Sequence, residues 1–215
     1  EANRAHSDHG GGVYVSTAST DVGDNVIRGN EIGVTVKYGY GGGIIIPAAQ
    51  AELHGNVITG NFAPTNGSGV FWDEGAKGTM REDLLFANGC PTEDTSGVAL
   101  YVDGGEGPSI VTLDHVTIAD HNCPAAATAG AAILVENLSK LTVKDTIIWG
   151  NSREIQTLDK GTFTVESSIA TVSGRGNRAV DPRFVDPAKG DYHLQPGSPA
   201  IGAASNRTNL GAYPR

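Results

Sequence analysis

Acidic and basic side chains gather at a few points along this chain, and each gathering suggests a definite chemistry. Arg81-Glu82-Asp83 sets a strong base beside two carboxylates, with Asp73 and Glu74 a few residues upstream. A polysaccharide lyase needs such a set: a base that abstracts a proton, and acids or a bound Ca2+ that neutralise a uronate. Lys144 and Arg153 are further bases along the chain. A glycoside hydrolase needs two carboxyl groups flanking the scissile bond, a part that Asp83 and Asp145 could play. His6, Asp8 and His9 bring three potential metal ligands into four residues, yet terminal histidine-rich stretches are usually solvated. His and Cys show no zinc spacing. None of these sets is a motif, and solvated loop charges are the plainer reading of each.

The elements that must position these residues are written as a repeat. Gly12, Gly43, Gly69, Gly97 and Gly130 each open a short apolar run and stand 26 to 33 residues apart. A second mark, Asn-Val-Ile-Thr-Gly-Asn in its clearest copy, ends at Asn30, Asn61, Gly89, His121 and Asn151, 28 to 32 residues apart. A fixed period of this size denotes a solenoid, propeller or array. Short β-branched or aromatic runs closed by Gly or Asn are strand-and-turn chemistry, which disfavours helical repeats. A propeller blade would need four strands and a longer period. The expected fold is an all-β parallel β-helix of about five or six coils over residues 1–180, with 181–215 as a C-terminal cap of the same domain. A solenoid end exposes strand edges and apolar core, so a cap is needed.

Aligning the coils on their glycines gives columns. Val13, Ile44, Val70, Val98 and Ala131, and two positions on Val15, Ile46, Trp72, Leu100 and Ile133, should face inward. The column between them begins Tyr14, Ile45, Phe71, an apolar outer stripe that suggests a glycan or protein contact surface unless a loop covers it. Aligning on the second mark places Asp24, Gly55, Asp83, His115 and Asp145 in one corner column. Asp83 and Asp145 then stand two coils, about 9.6 Å, apart. The Asp83–His115–Asp145 ladder could raise the histidine pKa or hold a cation, although a satisfied turn network explains it as well. The stacked asparagines of the second mark are architectural.

Composition narrows the partners. The chain has 215 residues, 30 of them Gly, with 18% charged and 6% aromatic side chains. Its net charge of −9 argues against a nucleic-acid surface. No run approaches the roughly 18 apolar residues of a membrane helix, and no signal peptide is recognisable. Because residue 1 falls just before a glycine mark, a removed leader and removed upstream coils are expected, as is the alternative of homo-oligomers stacked through an open N-terminal end. Cys90 and Cys123 follow the second mark by one and two residues in neighbouring coils. Coils about 4.8 Å apart with an offset of about 3.4 Å give a Cα separation of roughly 6 Å, so a disulfide is expected. It would suit an extracytoplasmic setting. Two buried thiols are the alternative.

Asp181-Pro-Arg-Phe-Val-Asp-Pro-Ala-Lys-Gly-Asp-Tyr-His-Leu-Gln-Pro-Gly-Ser-Pro-Ala-Ile201 and Asn209-Leu-Gly-Ala-Tyr213 resemble the C-terminal segment of bacterial secreted right-handed parallel β-helix proteins. The glycine and Asn-Val-Ile-x-Gly-Asn marks are similar to repeats of that superfamily, which includes polymorphic outer-membrane proteins and pectate-lyase-like enzymes. Ile201 departs from it, since relatives often carry an acid next and here Gly202 follows. The resemblance implies a secreted or surface β-helix but no single activity. With no catalytic motif and few coils, the expected function is a non-catalytic extracellular or cell-surface module that binds polysaccharide or surface proteins. A lyase or hydrolase on acidic polysaccharide is the alternative.

Overall fold

The structure is a computed structural model describing residues 1–6, 9–16, 19–32, 39–65, 67–89, 98–121 and 131–214. Three parallel sheets run through the coils between residues 13 and 166, successive coils adding a strand to each in turn. The first contains Thr20–Gly23, Gln50–His54, Lys77–Arg81, Ile110–Asp114, Lys140–Lys144 and Thr162–Glu166. The second contains Val26–Arg28, Val57–Thr59, Leu84–Phe86, Thr117–Ala119 and Ile147–Trp149. The third contains Val13–Tyr14, Ile44–Pro47, Val70–Asp73, Leu100–Val102, Ala131–Val135 and Arg153–Thr157. Alternation sends Ala51, Leu53, Met80, Val111, Leu113, Leu141 and Val143 of the first sheet into the core. There they meet Ile58, Leu85, Ile118 and Ile148 of the second sheet and Ile44, Ile46, Trp72, Val102 and Val135 of the third. Trp72, the largest fully buried side chain, fits because Gly78 lies opposite it; a Cβ there would stand 2.8 Å from the indole and 1.9 Å from Ala51 O.

Two sharp corners flank the second sheet. Asp24, Gly55, Glu82, His115 and Asp145 make the first in the left-handed conformation, and Gly29, Gly60, Ala87, Asp120 and Gly150 make the second. Directly behind most of these bends a polar side chain turns inward, Val116 behind His115 being an exception. Asn30 donates from its backbone N and its Nδ2 to Asn61 Oδ1, at 3.0 and 2.8 Å, and Asn61 donates in the same way to Asn88. Asn25 and Asn56 begin the corresponding ladder at the first corner, which Asp83 continues.

Two expected registers are corrected. In the third coil Ala87 takes the left-handed place of Gly60, so Asn88, and not Gly89, continues the ladder. Asp83 therefore aligns with Asn56 behind the bend, and Glu82 occupies the column that Asp83 was expected to share with His115 and Asp145. On the third sheet Leu100, rather than Val98, pairs with Val70, and Ile133 pairs with Leu100. Ala99 and Ala132 are small enough for the place that Gly43 and Gly69 hold in earlier coils, so glycine no longer marks it. That slip is of two residues and leaves the same faces inward.

The tail does not lie across the solenoid's end. Residues 170–178 close the last coil: Ala170 N donates to Arg178 O, Asn177 Nδ2 to Val165 O, and Val172 packs on the core. Beyond them the antiparallel pair Phe184–Asp186 and Asp191–Leu194 and the turns to 214 run along the outer face of the second sheet. Phe184, Tyr192, Ala200, Ala204, Leu210 and Ala212 cover Leu84, Ala119, Ile147 and Ile169 there. The reason is visible in the strands: the second sheet is apolar on both faces, so one flank, as well as the end, needs cover. Cys90 and Cys123 lie outside the described residues, as does Asp8.

Candidate functional site

The residues singled out for lyase or hydrolase chemistry do not form one set: Arg81 and Glu82 line a pocket with Asp114 and His115, apart from Asp83. Arg81 and Glu82 are exposed, whereas Asp83 is fully buried and faces inward. Asp145 points outward but is buried beneath the tail, where its carboxylate accepts from Ser205 N and Oγ, both 2.6 Å, and lies 3.4 Å from Lys144 Nζ. Asp83 and Asp145 thus belong to different faces of the wall and flank no common cleft.

Asp114, His115 and Asp145 place their ligand atoms within 4.8 Å of one another. Each is already engaged. His115 Nδ1 lies 2.7 Å from Asp114 Oδ1 and its Nε2 lies 2.9 Å from Thr208 Oγ1, an arrangement with the outline of an acid–base–nucleophile relay. The hydrogen bonds decide against that role. Asn206 Oδ1 accepts from Thr208 N at 3.0 Å and from Thr208 Oγ1 at 2.6 Å. The single hydroxyl proton is therefore spent on Asn206, and Thr208 presents none for His115 to remove. This cluster fastens the tail.

The outer stripe of the third sheet is also corrected. Tyr14 is 54% exposed, but Ile45 and Phe71 are buried. Val98, Tyr101 and Leu134 join them, and Tyr40 stacks on Phe71 at 5.5 Å, which in turn stacks on Tyr101 at 4.7 Å. The stripe forms a second, external apolar cluster in place of an open surface.

Sequence reasoning missed the row at the downstream edge of this sheet. Asp103 N donates to Trp72 O and Glu136 N to Val102 O, so Asp73, Asp103 and Glu136 fall in register on three consecutive coils, about 4.8 Å per step. Each follows an inward apolar residue, Trp72, Val102 or Val135, and so faces out. Glu74 N donates to Asp73 Oδ1 at 2.7 Å. Asp103 Oδ1 accepts from Gly104 N at 2.6 Å and Asn137 Nδ2 at 2.7 Å. Tyr101 donates its hydroxyl to Glu136 Oε2 at 2.8 Å. Burial, reinforced by the charge of Asp103, pushes the Asp73 carboxyl up to about 6. Burial also raises Glu136, with Asp103 and Asp159 adding to the effect and Tyr101 opposing it. Beside the row opens a cleft of about 660 Å³ lined by Gly105–Pro108, Asn137, Leu138, Asp159 and Lys160. A row of outward carboxyl groups beside a cleft can hydrogen-bond a polyhydroxylated ligand, or stand on either side of a bond.

No helix among the described residues is long and apolar enough to cross a membrane. A search of curated proteins and a search of solved structures returned no match. A family model described as a right handed beta helix region matches residues 42–177, more than half of the chain and most of its coils. The coiled sheets, the asparagine ladders and this match together make the chain a member of the right-handed β-helix family.

Proposed function

We propose that this chain is an extracellular or cell-surface β-helical module that binds glycans along the Asp73–Asp103–Glu136 row and the adjoining cleft. The observation that carries the reading is the row itself: three outward carboxyl groups on consecutive coils, beside a cleft of about 660 Å³. Carboxylates accept paired hydrogen bonds from sugar hydroxyls strongly. A rigid wall presents them at one repeat, so little ordering of the protein accompanies binding. Ca2+ would extend the range to acidic polysaccharides by bridging carboxylates of both partners.

Glycoside hydrolysis is the second reading, favoured by one specific observation. Burial pushes the Asp73 carboxyl up to about 6, the direction a general acid needs, while other carboxyls stand one and two coils away. Steps of about 4.8 and 9.6 Å bracket the separations that retaining and inverting hydrolases use. A panel of neutral and acidic polysaccharides, with and without Ca2+, tests both. Binding that Asp103→Asn weakens at least tenfold, with no new reducing ends, supports the module. Reducing ends lost in Asp73→Asn replace it with the hydrolase, and unsaturated products absorbing in the ultraviolet would replace it with a lyase. Neither binding nor product across the panel sinks the glycan reading.

A further inference from the structure

The corner amides follow one rule. The side chain at position i donates Nδ2 to the backbone carbonyl of the residue that pairs, one coil earlier, with i−3. Asn56 donates to Val22 O, Asn61 to Ile27 O, Asn88 to Ile58 O and Asn151 to Ile118 O, at 2.8 to 3.0 Å. Asp83 stands in the same place in its coil. Met80 pairs with Leu53, so the rule directs the second oxygen of Asp83 at Leu53 O. Its first oxygen already fills the ladder role, accepting from Asn56 N and Nδ2, both at 2.8 Å. Oδ2 is buried and meets no donor among the described residues. On the following coil the ladder position is Val116, which has no polar side chain to offer. Two oxygens turned toward each other in a dry interior repel unless a proton lies between them.

We propose that Asp83 is held as the neutral carboxylic acid, its Oδ2–H donating to Leu53 O in place of an amide, and that this proton makes the third coil's corner a pH-sensitive joint. The charged neighbours do not offset burial. His54, next to Leu53, is drawn to Asp21 at 2.9 Å, and Arg81 and Glu82 project into solvent. Burial outweighs the Asn56 hydrogen bonds, the charge of His54 and the weaker pull of the Arg81 backbone N–H, and pushes the Asp83 carboxyl up to about 7. The folded chain then keeps this proton where an unfolded chain, with a carboxyl near pH 4, has released it. The stabilisation is complete below about pH 4, declines as pH rises and is gone above about pH 7.

The test is the folding equilibrium of the wild type and of Asp83→Asn from pH 4 to 9, read by urea denaturation. Asparagine supplies the same donor at every pH, and the difference between the two proteins cancels every other titrating group. The variant is expected to gain on the wild type by up to about tenfold in the folded-to-unfolded ratio per pH unit, with the gap constant above about pH 7. A gap independent of pH, or one that closes as pH rises, overturns the proposal. Carbon-13 NMR of the wild-type Asp83 carboxyl gives a readout that does not depend on the variant folding. The shift of a neutral acid at pH 5.5 is expected, and the shift of a carboxylate there overturns the proposal as well.

Discussion

His121 stands where the second-corner ladder elsewhere has asparagine, and its ring does the same work with different atoms. Asn88 Nδ2 lies 3.4 Å from Nε2, and Nδ1 lies 3.2 Å from Asn151 Oδ1, so the neutral Nδ1–H tautomer completes the chain of donors. Burial pushes its pKa down to about 4. Because the unfolded chain takes up that proton near pH 6.5, the ring's contribution is complete above pH 6.5 and is lost as pH falls to 4. His121→Asn should therefore flatten the acid limb of the stability profile, with the urea midpoints of the two proteins separating as pH drops from 6.5 to 4. Asn61 carries a larger share. It accepts from Asn30 N and Nδ2 and donates to Ile27 O and Asn88 Oδ1, all within the wall. Asn61→Ala strands several buried groups and should cost about 3 kcal/mol or more in denaturant titrations. Gly78→Ala is expected to be as damaging for the opposite reason, since the added methyl meets the backbone at Ala51 and the Trp72 ring.

At the scale of elements, the tail is fastened by polar pegs along an apolar seam. Asp145 holds Ser205, His115 holds Thr208, Thr117 Oγ1 accepts from Ala212 N, and Tyr192 donates to Asp120. Asp145→Ala removes the peg with the shortest contacts and should speed limited proteolysis within 195–214 while leaving the coil strands protected. The elements also explain what could be read from the chain beforehand. Period, strand chemistry and inward faces were legible, because a core column tolerates a two-residue slip without changing sides. Corner positions were less so: Ala87 standing where Gly29 and Gly60 do displaced Asp83 by one residue, and one residue moves a side chain from the outer face to the core. The acid row was hidden by the other slip. Aligning on Gly97 and Gly130 set Asp103 and Glu136 two places away from Asp73, although each directly follows an inward apolar residue. The tail's place along the flank left its trace in the outward residues Leu84, Phe86, Ala119 and Ile147, which a solvated wall would not carry.

For the whole molecule, stacked coils ordinarily touch only their immediate neighbours, so a solenoid can fray from its ends one repeat at a time. This one has a strap. The segment that covers the second sheet touches Phe86, Thr117 and Ile147, strands of three successive coils, with a single run of chain. Opening any of those coils loosens a support that the others share, so local unfolding events become coupled over a length that nearest-neighbour contacts alone would not span. Amide exchange from Leu84–Phe86, Thr117–Ala119 and Ile147–Trp149 should then converge on one rate. Removing the strap at residue 178 should spread those rates into a gradient from the ends toward the middle. The strap thus acts as a splint that makes a modular rod yield all at once.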